Sequence, residues 1–411
     1  MSFKDVNKNI ISLFFVQFSN YLVPIIILPY LSRVVGIDGV GIISIALSLC
    51  AISFIVTDFG FTVSSTYWVS KNRDMKEKVS RYIGSVFVLK TILVFIVLLG
   101  LYVYSYFSKQ AIFNSHWMLL AISMSVLFQA FQITWFFQGI EKMKNITFCV
   151  AFSKFSYLIL VILVVKKPGD EVLALFSFGL SNMLSMLLGI YLYKKEGYKI
   201  IKPSFYDVTK LFKNTFSFFM SRASVGIYTS ASTLIIGNFA GVQQAALYSS
   251  AEKLYQASLS MTSPISQALY PYLARTSDKK LLYKFLLIFL PIMIVGVSGC
   301  IYFSKEIITL IYGVSFIAAA GTLKIFLIIS VISFISINFG YPAYSTINRL
   351  DIVNRSVMIG AICQLALLSY LYYIDKITAN NVALSILCIE IIIMLYRVGY
   401  YFYLIKGSKN G

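Results

Sequence analysis

Histidine is nearly absent from this chain, His116 being the single one. That excludes a metal centre built on a histidine cluster and leaves a serine–histidine relay little to draw on. No GxxxxGK[ST] stretch occurs, so nothing in the sequence is shaped to cradle nucleotide phosphates for hydrolysis. Cysteine is scarce: Cys50, Cys149, Cys300, Cys363 and Cys388 show no CxxC spacing. They read as small apolar packing residues, with no disulfide or metal implied and no cofactor expected. Acids are few as well, 16 against 35 Lys and Arg, for a formal charge of +19.

What fills the chain is hydrophobic sequence, 59% of the residues, with a mean hydropathy of +0.82. Crossing hydrocarbon takes ~20 mainly apolar residues as a helix, because each backbone polar group must be satisfied within the segment. Twelve stretches qualify: 10–32, 40–66, 83–106, 117–138, 147–165, 173–193, 215–237, 244–270, 284–303, 318–344, 356–374 and 382–404. Unbroken runs such as Ile25–Leu28 and Ile391–Leu395 exclude the alternation of a barrel. The first stretch is too long for a signal-peptide core and has no small-residue cleavage site after it, so no cleaved leader is expected.

Basic residues set the orientation. One set of alternate connections holds 23 Lys and Arg, from Lys4 and Lys8 to Lys406 and Lys409. The opposite set holds six: Arg33, Lys109, Lys166, Lys167, Lys305 and Lys376. The positive-inside rule places the rich face, and both termini, in the cytoplasm. The charge is thereby assigned to loops beside anionic headgroups and not to nucleic acid.

The longest polar connection, 194–214, divides the spans six and six. Phe205, Val208, Leu211 and Phe212 follow helical spacing within it, which suggests a short surface helix, with an ordinary loop as the alternative. A shift of 205 residues superimposes the start of the two halves. Lys8, Asn9, Ser12, Phe14, Ser19 and Gly36 meet Lys213, Asn214, Ser217, Phe219, Ser224 and Gly241, and twelve of sixty positions agree. The expected architecture is therefore all-α and polytopic, with twelve transmembrane helices in two six-helix lobes, 1–193 and 215–411. A pseudo-twofold axis along the membrane normal would relate them, as in transporters made of parallel repeats.

Charges inside the spans are the candidate functional residues. Six are basic (Lys90, Lys154, Arg222, Lys253, Lys324, Arg397) and three acidic (Asp58, Glu252, Glu390). A charge at the bilayer centre costs ~2.5–3.5 kcal/mol even on insertion scales, so it needs a cavity or a partner. Lys90, Lys154 and Arg397 lie near basic-side helix ends and are read as snorkelling to the headgroups. Lys253 lies roughly 15 Å deep at ~1.5 Å per residue, and Arg222 is on the preceding span. These two are expected to face a central cleft and bind an anion, since the basic excess of three calls for one. Glu252 is read either as a structural counter-charge or as a proton or sodium site. Asp58 is expected to cap a helix or contact a basic loop. Pro24, Pro29, Pro264, Pro271, Pro291 and Pro342 are expected to kink their spans, with Pro24 and Pro29 as a hinge. The aromatic content of 16% suits interfacial belts and sugar stacking alike. No outer connection exceeds about 15 residues, which leaves little room for enzymatic chemistry there and favours a carrier.

Four stretches then point to a family. They are Asn20-Tyr-Leu-Val-Pro24; Leu28-Pro29-Tyr30-Leu31-Ser32-Arg33 running on to Gly36, Gly39 and Gly41; Asp58-Phe59-Gly60-Phe61; and Trp135-Phe-Phe-Gln138-Gly139-Ile-Glu141-Lys142-Met143. In these, in span count and in repeat, the chain resembles the Wzx-type polysaccharide repeat-unit flippases of the multidrug/oligosaccharidyl-lipid/polysaccharide exporter superfamily. The resemblance implies a V-shaped cleft and transfer of undecaprenyl-diphosphate-linked oligosaccharide to the outer leaflet of a bacterial cytoplasmic membrane by alternating access. It also implies partners in the same pathway, a polymerase and a chain-length regulator, besides membrane lipid. An ion-coupled multidrug antiporter of the same fold is the alternative, with Asp58 or Glu252 holding the driving cation. A membrane polysaccharide polymerase is a more distant one.

Overall fold

The structure is a computed structural model. It describes residues 20, 23–24, 26–108, 111–347 and 349–407. Residues 10–19 of the expected first span lie outside these. Among the described residues the chain is helical, with no strand. Among the described residues nine helices are long and apolar enough to cross a membrane, matching the second to sixth and the ninth to twelfth expected spans. Two more, each of 35 residues, cover the seventh and eighth.

Contacts divide the chain into two compact units, Met1–Gly226 and Ile227–Gly411. The first contains α1 (26–34), α2 (Gly36–Asp58), α3 (Phe61–Asn72), α4 (Lys76–Phe107), α5 (His116–Ala130), α6 (Thr134–Gly139), α7 (Met143–Val164), α8 (Glu171–Lys195) and the start of α9 (Phe205–Phe239). Its centre is α5 packed on α8, with α7 against α8 and α3 against α6. The second unit takes the rest of α9, then α10 (Val242–Thr276), α11 (Lys279–Tyr302), α12 (Ser304–Tyr312), α13 (Ala319–Asn338), α14 (Tyr341–Ser345), α15 (Asp351–Tyr373) and α16 (Ala379–Gly407). Here α13 packs on α10, α11 and α16, and α15 on α16.

The closing helices of the two units follow a like order. A helix broken near its end (α5–α6) precedes two long helices, starting at residues 116, 134, 143 and 171. The pattern recurs as α13–α14, α15 and α16 at 319, 341, 351 and 379. Gly36 and Gly241, paired by the 205-residue shift, both have positive φ (+69° and +94°).

The breaks have local causes. At Phe59 and Gly60 the backbone turns left-handed, φ 46° and 79°, ending α2 and starting α3. Glycine is required at 60 because a Cβ would also lie 2.8 Å from that of Phe218 on α9. Pro342 does not kink a span as expected. It occupies the first turn of α14, where its missing N–H costs no helical hydrogen bond.

The connector also differs from expectation. Residues 205–212 are neither a separate surface helix nor a loop but the first two turns of α9. Ser204 and Asp207 cap it reciprocally: Ser204 N and Oγ donate to Asp207 Oδ2 (3.1 and 2.8 Å), and Asp207 N donates to Ser204 Oγ (3.1 Å). These hydrogen bonds hold the Asp207 carboxyl below its ordinary value. Val208 and Leu211 are buried in the first unit with Tyr198 and Phe136, while Phe205 and Phe212 are exposed.

Candidate functional site

The family-like motifs are architecture. Asp58 is buried and caps α3, accepting from Thr62 N (3.2 Å) and Thr62 Oγ1 (2.6 Å), as an anion does at a helix N-terminus. Phe59 stacks on Phe212 and Phe219 at 5.1 and 4.7 Å, fixing α9 to the α2–α3 turn. From the fourth motif Trp135, Phe136 and Phe137 are buried, and the Trp135 carbonyl accepts from Thr66 Oγ1 at 3.0 Å. Glu141 pairs with Arg73 at 2.8 Å.

The 196–204 connector is strapped across the basic end of this unit. Lys76 Nζ donates to the Glu196 carbonyl (2.9 Å), Lys142 pairs with the Glu196 carboxylate (3.5 Å), and Lys199 N donates to Ser80 Oγ (3.2 Å). Tyr198 donates to the Arg73 carbonyl (3.2 Å); burial, then the nearby Glu196 and Asp74, push its phenol above the ordinary value.

Two of the three lysine and arginine side chains expected to snorkel do not. Lys90 is 1% exposed. Its Nζ donates to the Ala130 carbonyl at 2.5 Å, stands 5.6 Å over the Phe61 ring, and is attracted by Asp58. Arg397 is 8% exposed, donating from Nε to Ser356 Oγ (2.8 Å) and from Nη1 to the Ser336 carbonyl (2.9 Å) and Ser336 Oγ (3.2 Å). Depth along a helix gave the wrong answer because each side chain points into its own unit, where a broken helix offers a free carbonyl. Lys154 is intermediate in exposure.

The second unit gathers acids among hydroxyls. Glu252 on α10 is met by Thr233 and Gln256 side chains and lies next to Lys253. Glu390 on α16 accepts from Ser333 Oγ (3.3 Å), which bonds Tyr255 OH (3.2 Å). The Tyr248 hydroxyl and Ser232 Oγ nearby are both buried and face one another.

Arg222, Lys253 and Lys324 are exposed. Lys253 Nζ reaches Gln256 Oε1 at 3.4 Å, its helical neighbour. Arg222 belongs to the first unit and Lys253 to the second. Pro24 and Pro29 are helical, and the Pro29 carbonyl accepts from Ser32 Oγ (3.0 Å) and Arg33 Nη1 (2.9 Å). Among the described residues no three His, Cys, Asp or Glu converge as for a metal.

The family described as polysaccharide biosynthesis protein matches residues 6–277. A Shigella dysenteriae protein named as an O-antigen transporter is 26% identical over 398 residues, covering 96% of this chain and 99% of that protein. A protein of the same name from Escherichia coli strain K12 is 25% identical, covering 82% and 77%. Among solved structures, an inward-closed lipid II flippase MurJ has a TM-score of 0.66 at 16% identity (95% and 87% covered). An inward-facing multidrug resistance transporter of the MATE family has 0.68 at 12% (91% and 94%). These two share the fold.

Proposed function

The chain belongs to the polysaccharide biosynthesis protein family, and from that premise we propose that it is a flippase for lipid-linked oligosaccharides. The observation that carries this reading is the likeness, along 96% of the chain and 99% of the relative, to a protein named as an O-antigen transporter. The cargo we assign is an undecaprenyl-diphosphate-linked repeat unit, moved from the cytoplasmic to the outer leaflet of a bacterial cytoplasmic membrane. Both termini then lie in the cytoplasm, on the side of the 23 basic residues.

A sugar headgroup cannot cross hydrocarbon unaided, so a wet passage is needed, and a diphosphate in it needs cations. Arg222 and Lys253 are the cations we assign, with Lys324 as a further one. Twelve helices in two six-helix lobes, 1–193 and 215–411 joined through 194–214, would rock about the cargo, with Pro24 and Pro29 as a hinge. Glu252 is the carboxylate assigned to proton or sodium coupling, and Asp58 is assigned to helix capping. A polymerase and a chain-length regulator of the same pathway would receive the product.

The test is transfer of a defined undecaprenyl-diphosphate-linked oligosaccharide in reconstituted vesicles. Arg222→Ala and Lys253→Ala each should lower the rate at least about tenfold, the loss of one charge-assisted contact worth ~1.4 kcal/mol or more. Normal transfer by both variants would overturn the assignment.

A further inference from the structure

Lys90 and Arg397 end at the same kind of place. At the α5–α6 break the Ala130 carbonyl has lost its helical donor, and Lys90 Nζ fills the position. At the α13–α14 break Gly340 N bonds the Ile337 carbonyl, leaving that of Ser336, and Arg397 Nη1 fills it. The two breaks correspond in the repeat, yet the two cations do not. The 205-residue shift sets Val295 against Lys90, and the starts of α8 and α16 set Gly189 against Arg397. Lys90 comes from α4, near the break in sequence, and Arg397 from α16, the last helix. A duplicated ancestor does not account for that. The shared demand of a buried helix C-terminus for a cation does.

Each cation also reaches a second feature of its unit. Lys90 faces Phe61 and Asp58, at the α2–α3 turn, so one ammonium joins both breaks of the first unit. Arg397 joins α13 and α15 to α16 through Ser336 and Ser356. Its own carbonyl accepts from Tyr344 OH on α14 (2.7 Å), so both sides of the break are tied to one residue.

We propose that Lys90 and Arg397 are positioning residues that pin the two broken helices in their bent form, that turnover depends on those bends, and that neither cation touches the cargo. The transport part rests on the flippase reading above; the pinning part stands without it. The experiment is hydrogen exchange on the purified protein, paired with transfer kinetics of undecaprenyl-diphosphate-linked oligosaccharide in vesicles. Lys90→Met should speed exchange at amides 131–135 about tenfold and leave 337–344 unchanged, with Arg397→Met doing the reverse. Lys90→Arg and Arg397→Lys should restore most of the protection. In transfer, both Met variants should lower the maximal rate about tenfold at an unchanged half-saturating concentration. A raised half-saturating concentration at an unchanged maximal rate would mean that these residues bind cargo, and the proposal fails. Unchanged exchange at both breaks overturns it too. If a Met variant does not fold, Ser356→Ala serves, since it removes one contact of Arg397 and no charge. Faster exchange at 337–344 then supports the pin, and unchanged exchange overturns it. A wild-type protein that moves no lipid-linked oligosaccharide would instead overturn the flippase reading, leaving the exchange result to decide the pins.

Discussion

The closing helices of the two units follow one order, but the units differ in their charges. In the first, Asp58 and Lys90 are buried at helix breaks, one capping α3 and the other closing α5. In the second, Arg397 closes the comparable break, while Glu390 accepts from Ser333, which bonds Tyr255, and Glu252 lies beside Lys253. The difference teaches that intramembrane charge is not one category. A charge that satisfies a freed backbone group is architecture, and one met by side chains can exchange a partner. It also reduces the cations available to an anionic cargo, since two of the six intramembrane basic residues are consumed by the fold.

The largest expected effect separates the acids of the two units. Glu252→Gln should remove the response of transfer to an imposed proton or sodium gradient, about tenfold under gradient-driven conditions, while Asp58→Asn keeps that response. Transfer assays with and without each gradient check this, and a gradient response surviving in Glu252→Gln would erase the contrast. Next comes the strap of the first unit. A Cβ at Gly84 would collide with the Ile201 carbonyl, so Gly84→Ala should lower stability by ~1–3 kcal/mol. Limited proteolysis should then cut within 196–204 while cleavage of the second unit stays as before. Asp58→Asn should cost somewhat less, ~1–2 kcal/mol in thermal unfolding, because the amide oxygen still accepts from Thr62 but no longer answers Lys90. Smallest is the pH response of the α9 cap. The Asp207 carboxyl sits below its ordinary value near 3.8, chiefly through Ser204. A depressed folded-state value means the cap contributes fully above the ordinary value and fades as pH falls through the lowered one. Exchange at 204–208 should therefore quicken only in acid, and Asp207→Asn should flatten that dependence.

Much of this was legible in the sequence. Spans could be read because hydrophobic length needs no knowledge of neighbours. The Asp58 cap was among the expected roles. What escaped were the breaks at Phe59–Gly60 and after Ala130, since neither carries a proline, and Pro342, which starts a helix instead of bending one. Lys90 and Arg397 were misread because distance from a helix end says nothing about which way a side chain points. Only packing reveals a free carbonyl on another helix. The strap at 196–204 was hidden for the same reason: its hold on Ser80, Arg73 and Lys76 lies more than a hundred residues away in sequence.

The most direct measurement is leaflet transfer itself. Purified protein in vesicles carrying a defined undecaprenyl-diphosphate-linked oligosaccharide should make that headgroup accessible on the opposite face, well above protein-free vesicles, and Lys253→Ala should return it to background. Transfer no faster than in protein-free vesicles, alongside export of cationic drugs by the same preparation, would contradict the account.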